Sequence, residues 1–228
     1  MKESHLRILE SRKGHIFKIP MCDSYILCYE NIEKNRDSII IYCHGNSGNI
    51  FKKQAVMDLL EKEKFSFCVF DYRGFGPTVN SFKPTVETMI EDTKRVLDFF
   101  SEKGFKIILW GESLGALIIN KILKRYKGLN IHKIVFFSPF TGLKETLKNN
   151  GLSLLCLLFP ALWNLSMEDI EYDFPILVVF SEEDNLCSKN SIKKVFDTKN
   201  VCQVVIRGSH SKPKIEFEDL MKIKSFLS

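Results

Sequence analysis

The chain has 228 residues, of which 45% are hydrophobic, 12% aromatic and 27% charged, with a formal net charge of +5. This composition excludes a disordered chain and a coiled coil, and the length predicts about one domain with a sizeable core. The lysines are scattered rather than grouped into a basic stripe with aromatic residues, so we expect no nucleic-acid partner.

The cysteines and the apolar segments indicate the compartment. Seven cysteines include no Cys-x-x-Cys pair, and several lie within apolar strand patterns. They predict buried free thiols in a reducing compartment rather than a disulfide framework or a zinc site. No apolar segment follows the charged N-terminus, and the apolar run over 152–165 is too short to span a bilayer and contains Pro160. We therefore expect a cytoplasmic protein without cofactor or metal, and its oligomeric state stays open.

The first half of the chain alternates strand and helix patterns. Ile16–Pro20 and Tyr25–Tyr29 predict an antiparallel hairpin within an N-terminal region over residues 1–37. Ser38–Cys43 is continuous and rich in β-branched residues, as in a central strand covered on both faces. The elements predicted next are a helix over 51–64, a strand over 66–70, an amphipathic helix over 85–102 ended by Gly104, and a strand over 106–110.

Beyond residue 110 the alternation continues with one interruption. The predicted elements are helices over 117–126, 191–196 and 216–227, and strands over 131–137, 175–180 and 201–206. Regular alternation lapses after Pro139, which predicts a small cap insertion over residues 140–172. Strands that alternate with helices imply a mostly parallel central sheet with helices on both faces. We expect a single α/β domain over 1–228.

A Gly-x-Ser-x-Gly sequence at Gly111–Gly115 joins a predicted strand to a predicted helix. In this context the motif forms a sharp turn that projects the serine hydroxyl from the sheet. The glycines remove Cβ atoms that would clash in the turn, and the amides of the following helix favour negative charge nearby. The motif therefore predicts Ser113 as a nucleophile, against the alternative of a solvated loop serine.

Asp184 and His210 follow two later predicted strands. Because chemistry in open parallel sheets collects at the carboxyl ends of the strands, we expect these side chains near Ser113. A serine hydroxyl is a poor nucleophile, so a neutral imidazole must accept its proton during attack. His210 is the candidate base, and Asp184 would hold the imidazole in the correct tautomer.

Other titratable residues compete for the base and acid roles, and they are His5, His15, His44, His132, Glu182 and Glu183. His132 begins a strand, where a core or surface role is expected. His44 is expected to form structural hydrogen bonds within its own turn. The two glutamates adjoin Asp184 and stay open on the residues alone.

Five segments stand at the ends of predicted strands, and they are His44–Asn49, Asp71–Gly76, Gly111–Gly115, Ser181–Asp184 and Gly208–His210. In this order they resemble the α/β-hydrolase superfamily, and most of all the small abhydrolase-domain serine hydrolases, a group that includes protein depalmitoylases. The resemblance runs from about residue 38 to the C-terminus. It implies the α/β-hydrolase fold with a minimal cap and Ser113, Asp184 and His210 as the triad, with the third acidic position as its acid.

The resemblance also assigns residues around the triad. The backbone N–H groups of Leu114 and Asn46 are expected to form the oxyanion hole, since Gly45 allows close approach of the backbone. Gly48 and Asn49 are expected to form a turn and a helix N-cap. The segment 71–73 is expected to be a structural turn in which carboxylates brace Arg73.

The predicted function is hydrolysis of a carboxylic ester or thioester, with acyl-protein or lipid-like compounds among the substrates, through an acyl-enzyme. Phe140, Leu158 and Trp163 are expected to shape the substrate pocket. For the apolar run over 152–165 we expect one of three roles: it completes the core, it lines an acyl groove, or it contacts a membrane surface. The alternatives are a catalytically silent binding protein and a serine peptidase, although the chain has no room for the large lid of such peptidases. Dehalogenase chemistry would require an aspartate at position 113.

Overall fold

The computed structural model describes residues 3–22, 24–78, 82–149, 151, 165–168, 173–196 and 201–228. The chain divides into two compact units, Met1–Leu109 and Trp110–Ser228. Most of the predicted cap over 140–172, including Leu158 and Trp163, lies outside the described residues. The cap and the single domain therefore stay predictions.

The first unit begins with a helix that the sequence pattern did not predict. Its helices are α1 (Glu3–Glu10), α2 (Gln54–Lys62) and α3 (Val86–Glu102), and its complete strands are β1 (His15–Pro20), β2 (Tyr25–Asn31), β3 (Ser38–Cys43) and β4 (Phe67–Asp71). Short 3₁₀ turns lie at Ile50–Lys52 and Gly76–Thr78. The predicted hairpin is confirmed, because β1 and β2 pair antiparallel from His15 opposite Glu30 to Pro20 opposite Tyr25.

The second unit carries most of the residues predicted to be catalytic. Strand β5 (Lys106–Glu112) leads into it, and its other elements are helices α4 (Leu114–Arg125), α5 (Leu143–Asn149), α6 (Lys189–Val195) and α7 (Phe217–Leu227) with strands β6 (Ile131–Phe137), β7 (Ile176–Ser181), β8 (Val201–Ser209) and β9 (Lys212–Lys214). Strand β9 was not predicted, since three exposed residues with the sequence Lys-Pro-Lys carry no strand pattern.

The nine strands form one mostly parallel sheet with helices around it, in the order β1-β2-β4-β3-β5-β6-β7-β8-β9. Within the first unit β3 and β4 run parallel, and within the second unit β6, β7 and β8 do so. Every residue of β4 and β7 is buried, as expected for strands covered on both faces. The predicted mostly parallel sheet with helices around it is confirmed. Among the described residues, no helix combines the length and apolar character needed to cross a membrane.

Helix α3 shows how local sequence signals set an element. Thr85 caps its start, because its hydroxyl accepts the Thr88 N–H at 3.2 Å while the Thr88 hydroxyl bonds the Thr85 N–H at 2.9 Å. Gly104 follows its end with φ +85°, a conformation that favours glycine. The predicted apolar face is buried, but the same helix also buries Asp92, which periodicity did not predict.

Candidate active site

Ser113 occupies a strained turn between β5 and α4. Its φ of 51° is positive, which is uncommon for a residue with a Cβ atom. A Cβ built on Gly111 would lie 2.7 Å from both the Ala116 Cα and the Ile119 Cδ1, so only glycine fits there. The Ser113 N–H donates to the Phe137 carbonyl at 3.0 Å, which ties the turn to β6. The sharp strand-to-helix turn predicted from the motif is therefore present.

The first backbone N–H groups of α4 lie next to Ser113. Leu114 is the first residue of the helix, and the first N–H groups of a helix have no partner within it. The helix dipole adds partial positive charge at this end. The Ser113 carbonyl accepts the N–H of Ala116 at 3.0 Å and of Phe140 at 3.2 Å. The Leu114 N–H is thus one of the N-terminal amides of α4, and its part in an oxyanion hole stays a prediction.

His210 lies at the tip of a tight hairpin. Strand β8 continues past the predicted end to Ser209, which pairs with Lys212 of β9 and leaves His210 and Ser211 as the connecting turn. Gly208 has φ +88°, and a Cβ there would lie 2.3 Å from the Lys212 carbonyl oxygen. The imidazole is therefore carried by a two-residue turn that the paired strands β8 and β9 hold in place.

Asp184 is held by the loop that follows β7. Its side chain is buried, and its Oδ1 accepts the backbone N–H groups of Leu186 at 2.9 Å and Cys187 at 2.8 Å. These are the contacts of an Asx turn, in which an aspartate caps the amides two and three residues further on. The sequence analysis did not predict these two amides, although the short polar stretch after β7 is the signal for such a turn. They leave Oδ2 available to a second partner.

The three side chains form a continuous hydrogen-bonded relay. His210 Nδ1 lies 2.7 Å from Asp184 Oδ2, and His210 Nε2 lies 3.0 Å from the Ser113 Oγ. With the ring proton on Nδ1, the imidazole donates to the carboxylate and accepts from the serine hydroxyl. This arrangement can remove a proton from Ser113 and stabilise the imidazolium that results.

The competing residues lie elsewhere. Glu182 is exposed and forms an ion pair with Lys189, and Glu183 is exposed with its N–H bonded to the Ser181 hydroxyl. His132 is exposed on β6 and His15 on β1, while the side chain of His5 is outside the described part of the chain. Asp184 and His210 are thus the acid and the imidazole that the fold brings to Ser113.

The turn after β3 in the first unit has the predicted local form. The Gly48 N–H donates to the Gly45 carbonyl at 2.9 Å, and the Asn49 side chain accepts the Lys52 N–H at 3.2 Å as an N-cap. His44 is buried, and its Nδ1 lies 2.8 Å from the Gly45 carbonyl oxygen. Asn46 is exposed in this turn, and its part in an oxyanion hole stays a prediction.

Carboxylates brace Arg73, as the resemblance implies. Its Nε donates to Asp92 Oδ1 at 2.6 Å, its backbone N–H to Asp92 Oδ2 at 2.8 Å, and a terminal nitrogen to Glu91 at 3.1 Å. Arg73 and Asp92 are both buried. Burial raises the pKa of Asp92, and the hydrogen bonds from Arg73 act against that rise. This buried ion pair joins the turn after β4 to α3.

Asp71 is a second buried carboxyl group in the first unit. Its Oδ1 accepts the Ile50 N–H at 2.8 Å and lies 3.6 Å from His44 Nε2. A Cβ on Gly76 would lie 1.9 Å from its Oδ2. Burial raises the pKa of Asp71 to about 7, and the hydrogen bond from Ile50 opposes this rise. The carboxyl group connects both ends of the turn that contains Asn46.

Of the predicted pocket residues, Phe140 alone lies among the described ones; it is half-buried. The six described cysteines are free, with Cys28, Cys43, Cys68 and Cys187 buried. The expectation of buried thiols is wrong for Cys22 and Cys202, which are exposed. Cys202 faces solvent because the start of β8 is largely exposed. Burial and the nearby Asp184 charge raise the pKa of the Cys187 thiol.

The comparisons with known proteins agree with this fold. The family model Hydrolase_4, described as serine aminopeptidase S33, matches residues 34–172, a span that includes Ser113 but neither Asp184 nor His210. An esterase of Pyrococcus furiosus superposes with a TM-score of 0.75 at 19% identity, covering 97% of this chain and 92% of that one. Mouse alpha/beta hydrolase domain-containing protein 10 does so with a TM-score of 0.72 at 14% identity, covering 93% and 96%.

Curated relatives are longer than this chain. Lysophosphatidylserine lipase ABHD12 of Xenopus tropicalis is 24% identical over 189 residues, which are 74% of this chain and 48% of that protein. The Mus musculus protein of the same name is 28% identical over 138 residues, which are 58% and 34%. This chain thus spans half or less of the length of these relatives. Since the family model matches more than half of the 228 residues, the chain belongs to the Hydrolase_4 family of α/β hydrolases.

Proposed function

We propose that this chain is a serine hydrolase that cleaves a carboxylic ester or thioester through an acyl-enzyme. The observation that carries the proposal is the unbroken relay from Ser113 through His210 to Asp184, with separations of 3.0 Å and 2.7 Å. Hydrolase_4 membership and relatives named as a lipase and an esterase support it.

Acylation follows from the geometry of the relay. The Ser113 Oγ attacks the carbonyl carbon of the substrate while His210 Nε2 accepts the hydroxyl proton. Asp184 keeps the Nδ1 proton in place and stabilises the imidazolium, and His210 then returns its proton to the leaving alcohol or thiol. In the second half-reaction His210 takes a proton from water as the water oxygen attacks the acyl carbon. The imidazolium then returns that proton to the Ser113 Oγ as the acyl bond breaks, which releases the acid and restores the serine hydroxyl.

The oxyanion of the tetrahedral intermediate needs donors that are already in position. The Leu114 N–H, at the positive end of α4, is the donor that we assign from the second unit. The backbone N–H of Asn46 is the donor that we assign from the first unit, where Asp71 holds the surrounding turn through Ile50. Each donor is expected to contribute about 10²–10³-fold to the rate.

The substrate class that we propose is a monoacyl amphiphile. The relatives in Xenopus tropicalis and Mus musculus are named for a lysophosphatidylserine lipase, and an acyl ester with a charged head group has this chemistry. The formal net charge of +5 favours approach of an anionic substrate. Phe140 is proposed to contact the acyl chain, because its backbone N–H donates to the Ser113 carbonyl at 3.2 Å and so places residue 140 beside the nucleophile. Acylated protein thioesters are a second substrate class that the same reaction would serve.

Peptide hydrolysis is the second candidate, because the matching family model is described as a serine aminopeptidase. The same relay would attack an amide, with His210 protonating a leaving amine. A binding protein without catalysis is the third reading, and the intact relay argues against it.

A fluorophosphonate probe tests the nucleophile. It is expected to label the wild type and to leave the Ser113→Ala variant unlabelled, because only an activated serine reacts. Ser209→Ala is the matched control, since it removes another serine close to His210 in sequence, and it is expected to label like the wild type. Absence of labelling in wild-type protein with a cooperative thermal transition would favour the binding protein.

A chain-length series then tests the substrate. Hydrolysis of p-nitrophenyl esters, acyl thioesters and aminoacyl anilides is compared with that of monoacyl phospholipids, always against Ser113→Ala. We expect kcat/KM to rise with acyl length and to be lowest for the anilides. A preference for aminoacyl anilides would replace the esterase proposal by the peptidase.

A further inference from the structure

We propose that Asp184, Cys187 and His210 form a binding site for a soft divalent cation of the Zn²⁺ and Cd²⁺ class, and that the bound cation switches the relay off. The binding part depends only on the three side chains. The inhibition part rests on the proposed function.

The three residues bring three different ligand atoms together. A carboxylate oxygen of Asp184, the thiol sulfur of Cys187 and an imidazole nitrogen of His210 all lie within 4.8 Å of one another. In the described part of the chain, no second group of three such residues meets this criterion. Bonds of about 2.0–2.3 Å to a tetrahedral cation place ligand atoms about 3.2–3.8 Å apart, so the side chains need to move by about 1 Å.

The loop geometry keeps the sulfur close to the relay. Cys187 is buried, and its backbone N–H is bonded to Asp184 Oδ1 at 2.8 Å. Its side chain therefore starts three residues from the carboxylate on the same tight turn. The His210 side chain is 20% exposed, which gives a cation in water access to the site from one side. A set of sulfur, nitrogen and oxygen ligands selects Zn²⁺ or Cd²⁺ over Mg²⁺ and Ca²⁺.

Occupancy would disable the base through its tautomer. Binding displaces the thiol proton of Cys187 to solvent, and the cation takes the Nδ1 position that faces Asp184. The ring proton then resides on Nε2, so His210 can no longer accept the Ser113 hydroxyl proton. Asp184 is occupied by the cation at the same time. Hydrolysis should therefore stop without any change at Ser113.

Inhibition is measured by titrating the wild type with Cd²⁺ and Zn²⁺ in an esterase assay, with each protein normalised to its own rate in chelator. We expect Cys187→Ser to raise the half-inhibitory concentration at least about tenfold, since a hydroxyl is a poor ligand for these ions. Cys202→Ser, which removes an exposed thiol of β8, is the matched control and is expected to behave like the wild type. Mg²⁺ at the same concentrations is expected to leave the rate unchanged.

Binding is measured independently of hydrolysis in the Ser113→Ala variant, which retains all three ligands. Titration with Co²⁺ is expected to produce thiolate-to-cobalt charge-transfer absorption, and adding Cys187→Ser to this variant is expected to abolish it. This readout separates the two proposals, because it survives even if no ester is hydrolysed.

Equal inhibition of the wild type and Cys187→Ser, or absence of the cobalt absorption in Ser113→Ala, would overturn the proposal. If Cys187→Ser lowers the unfolding temperature so far that the variant is unfolded in the assay, Cys187→Ala takes its place. The same rise in the half-inhibitory concentration is then expected. Loss of cobalt absorption in Cys202→Ser instead would assign the cation to a surface thiol and would likewise overturn the site.

Discussion

Asp184 and Asp71 are both almost fully buried, with 3% and 1% of their surface exposed, but their surroundings differ. Asp184 is bonded to the His210 ring and to two backbone amides. Asp71 accepts one backbone amide, and its Oδ2 has no hydrogen-bond partner among the described residues. Hydrogen-bond donors stabilise a buried carboxylate. Asp184 has three such donors and orients the imidazole, whereas Asp71 has one, and burial raises its pKa to about 7. Four substitutions test how the groups around each carboxylate decide its role.

The largest effect is expected for Asp184→Asn. An amide in place of the carboxylate favours the wrong His210 tautomer and does not stabilise the imidazolium, so kcat should fall about 10³–10⁴-fold. Steady-state kinetics with an ester substrate measure this change, and circular dichroism checks that the fold is retained. A loss smaller than tenfold in a folded variant would remove Asp184 from the relay.

The next effect is expected for Arg73→Ala in the first unit. This change leaves the carboxylate of Asp92 buried without its partner, which costs about 3–5 kcal/mol in the free energy of unfolding. Urea denaturation measures it. Lys94→Ala breaks a partly exposed i,i+4 pair with Asp98 on the same helix and serves as control, with an expected loss of about 0.3–0.5 kcal/mol. Similar losses in both variants would contradict the buried pair.

A pH-dependent effect is expected for Asp71→Asn. Burial raises the folded-state pKa of Asp71 from 3.8 to about 7, so the native state binds the proton more tightly than the unfolded state. This stabilisation is complete below the unfolded pKa and is lost as the pH rises through the folded pKa. Between about pH 5 and 8, the wild type should lose about 3 kcal/mol of unfolding free energy relative to Asp71→Asn.

Denaturant titrations of both proteins across this pH range measure that difference. Asp92→Asn provides a comparison in which a buried carboxylate loses its charge beside Arg73, and it should destabilise the protein at neutral pH. Parallel pH profiles for wild type and Asp71→Asn would show that Asp71 is ionised in the native state throughout.

The smallest effect is expected for Glu182→Gln. Glu182 lies two residues before Asp184, but it is exposed and paired with Lys189. The activity on esters should therefore stay within about twofold of the wild type. A large loss would show that an acid other than Asp184 serves the base.

Much of the fold was predictable because its signals are local. The continuous apolar strands, the amphipathic period over 85–102 and Gly104 each act over a few residues, and the structure agrees with them. The strained turn at Ser113 was predictable for the same reason, since its glycines and flanking elements are adjacent in sequence. Strand β9 was not predictable, because its three residues, Lys-Pro-Lys, carry no strand pattern. Helix α1 was missed because its eight residues are fewer than the about 11–18 over which a helical period is recognised.

The sequence by itself determined the order of most strands and helices, the sharp turn at Ser113, and Ser113 and His210 as the nucleophile and the base. Only the tertiary structure decided that Asp184, rather than Glu182 or Glu183, meets His210, and that Cys187 lies beside them. The reason is that three adjacent acidic residues have the same chemistry but different directions. The turn that bonds Asp184 Oδ1 to two amides and the hairpin that carries His210 set those directions locally. The meeting of the three side chains depends on contacts across 26 and 97 residues of sequence, which no local pattern encodes.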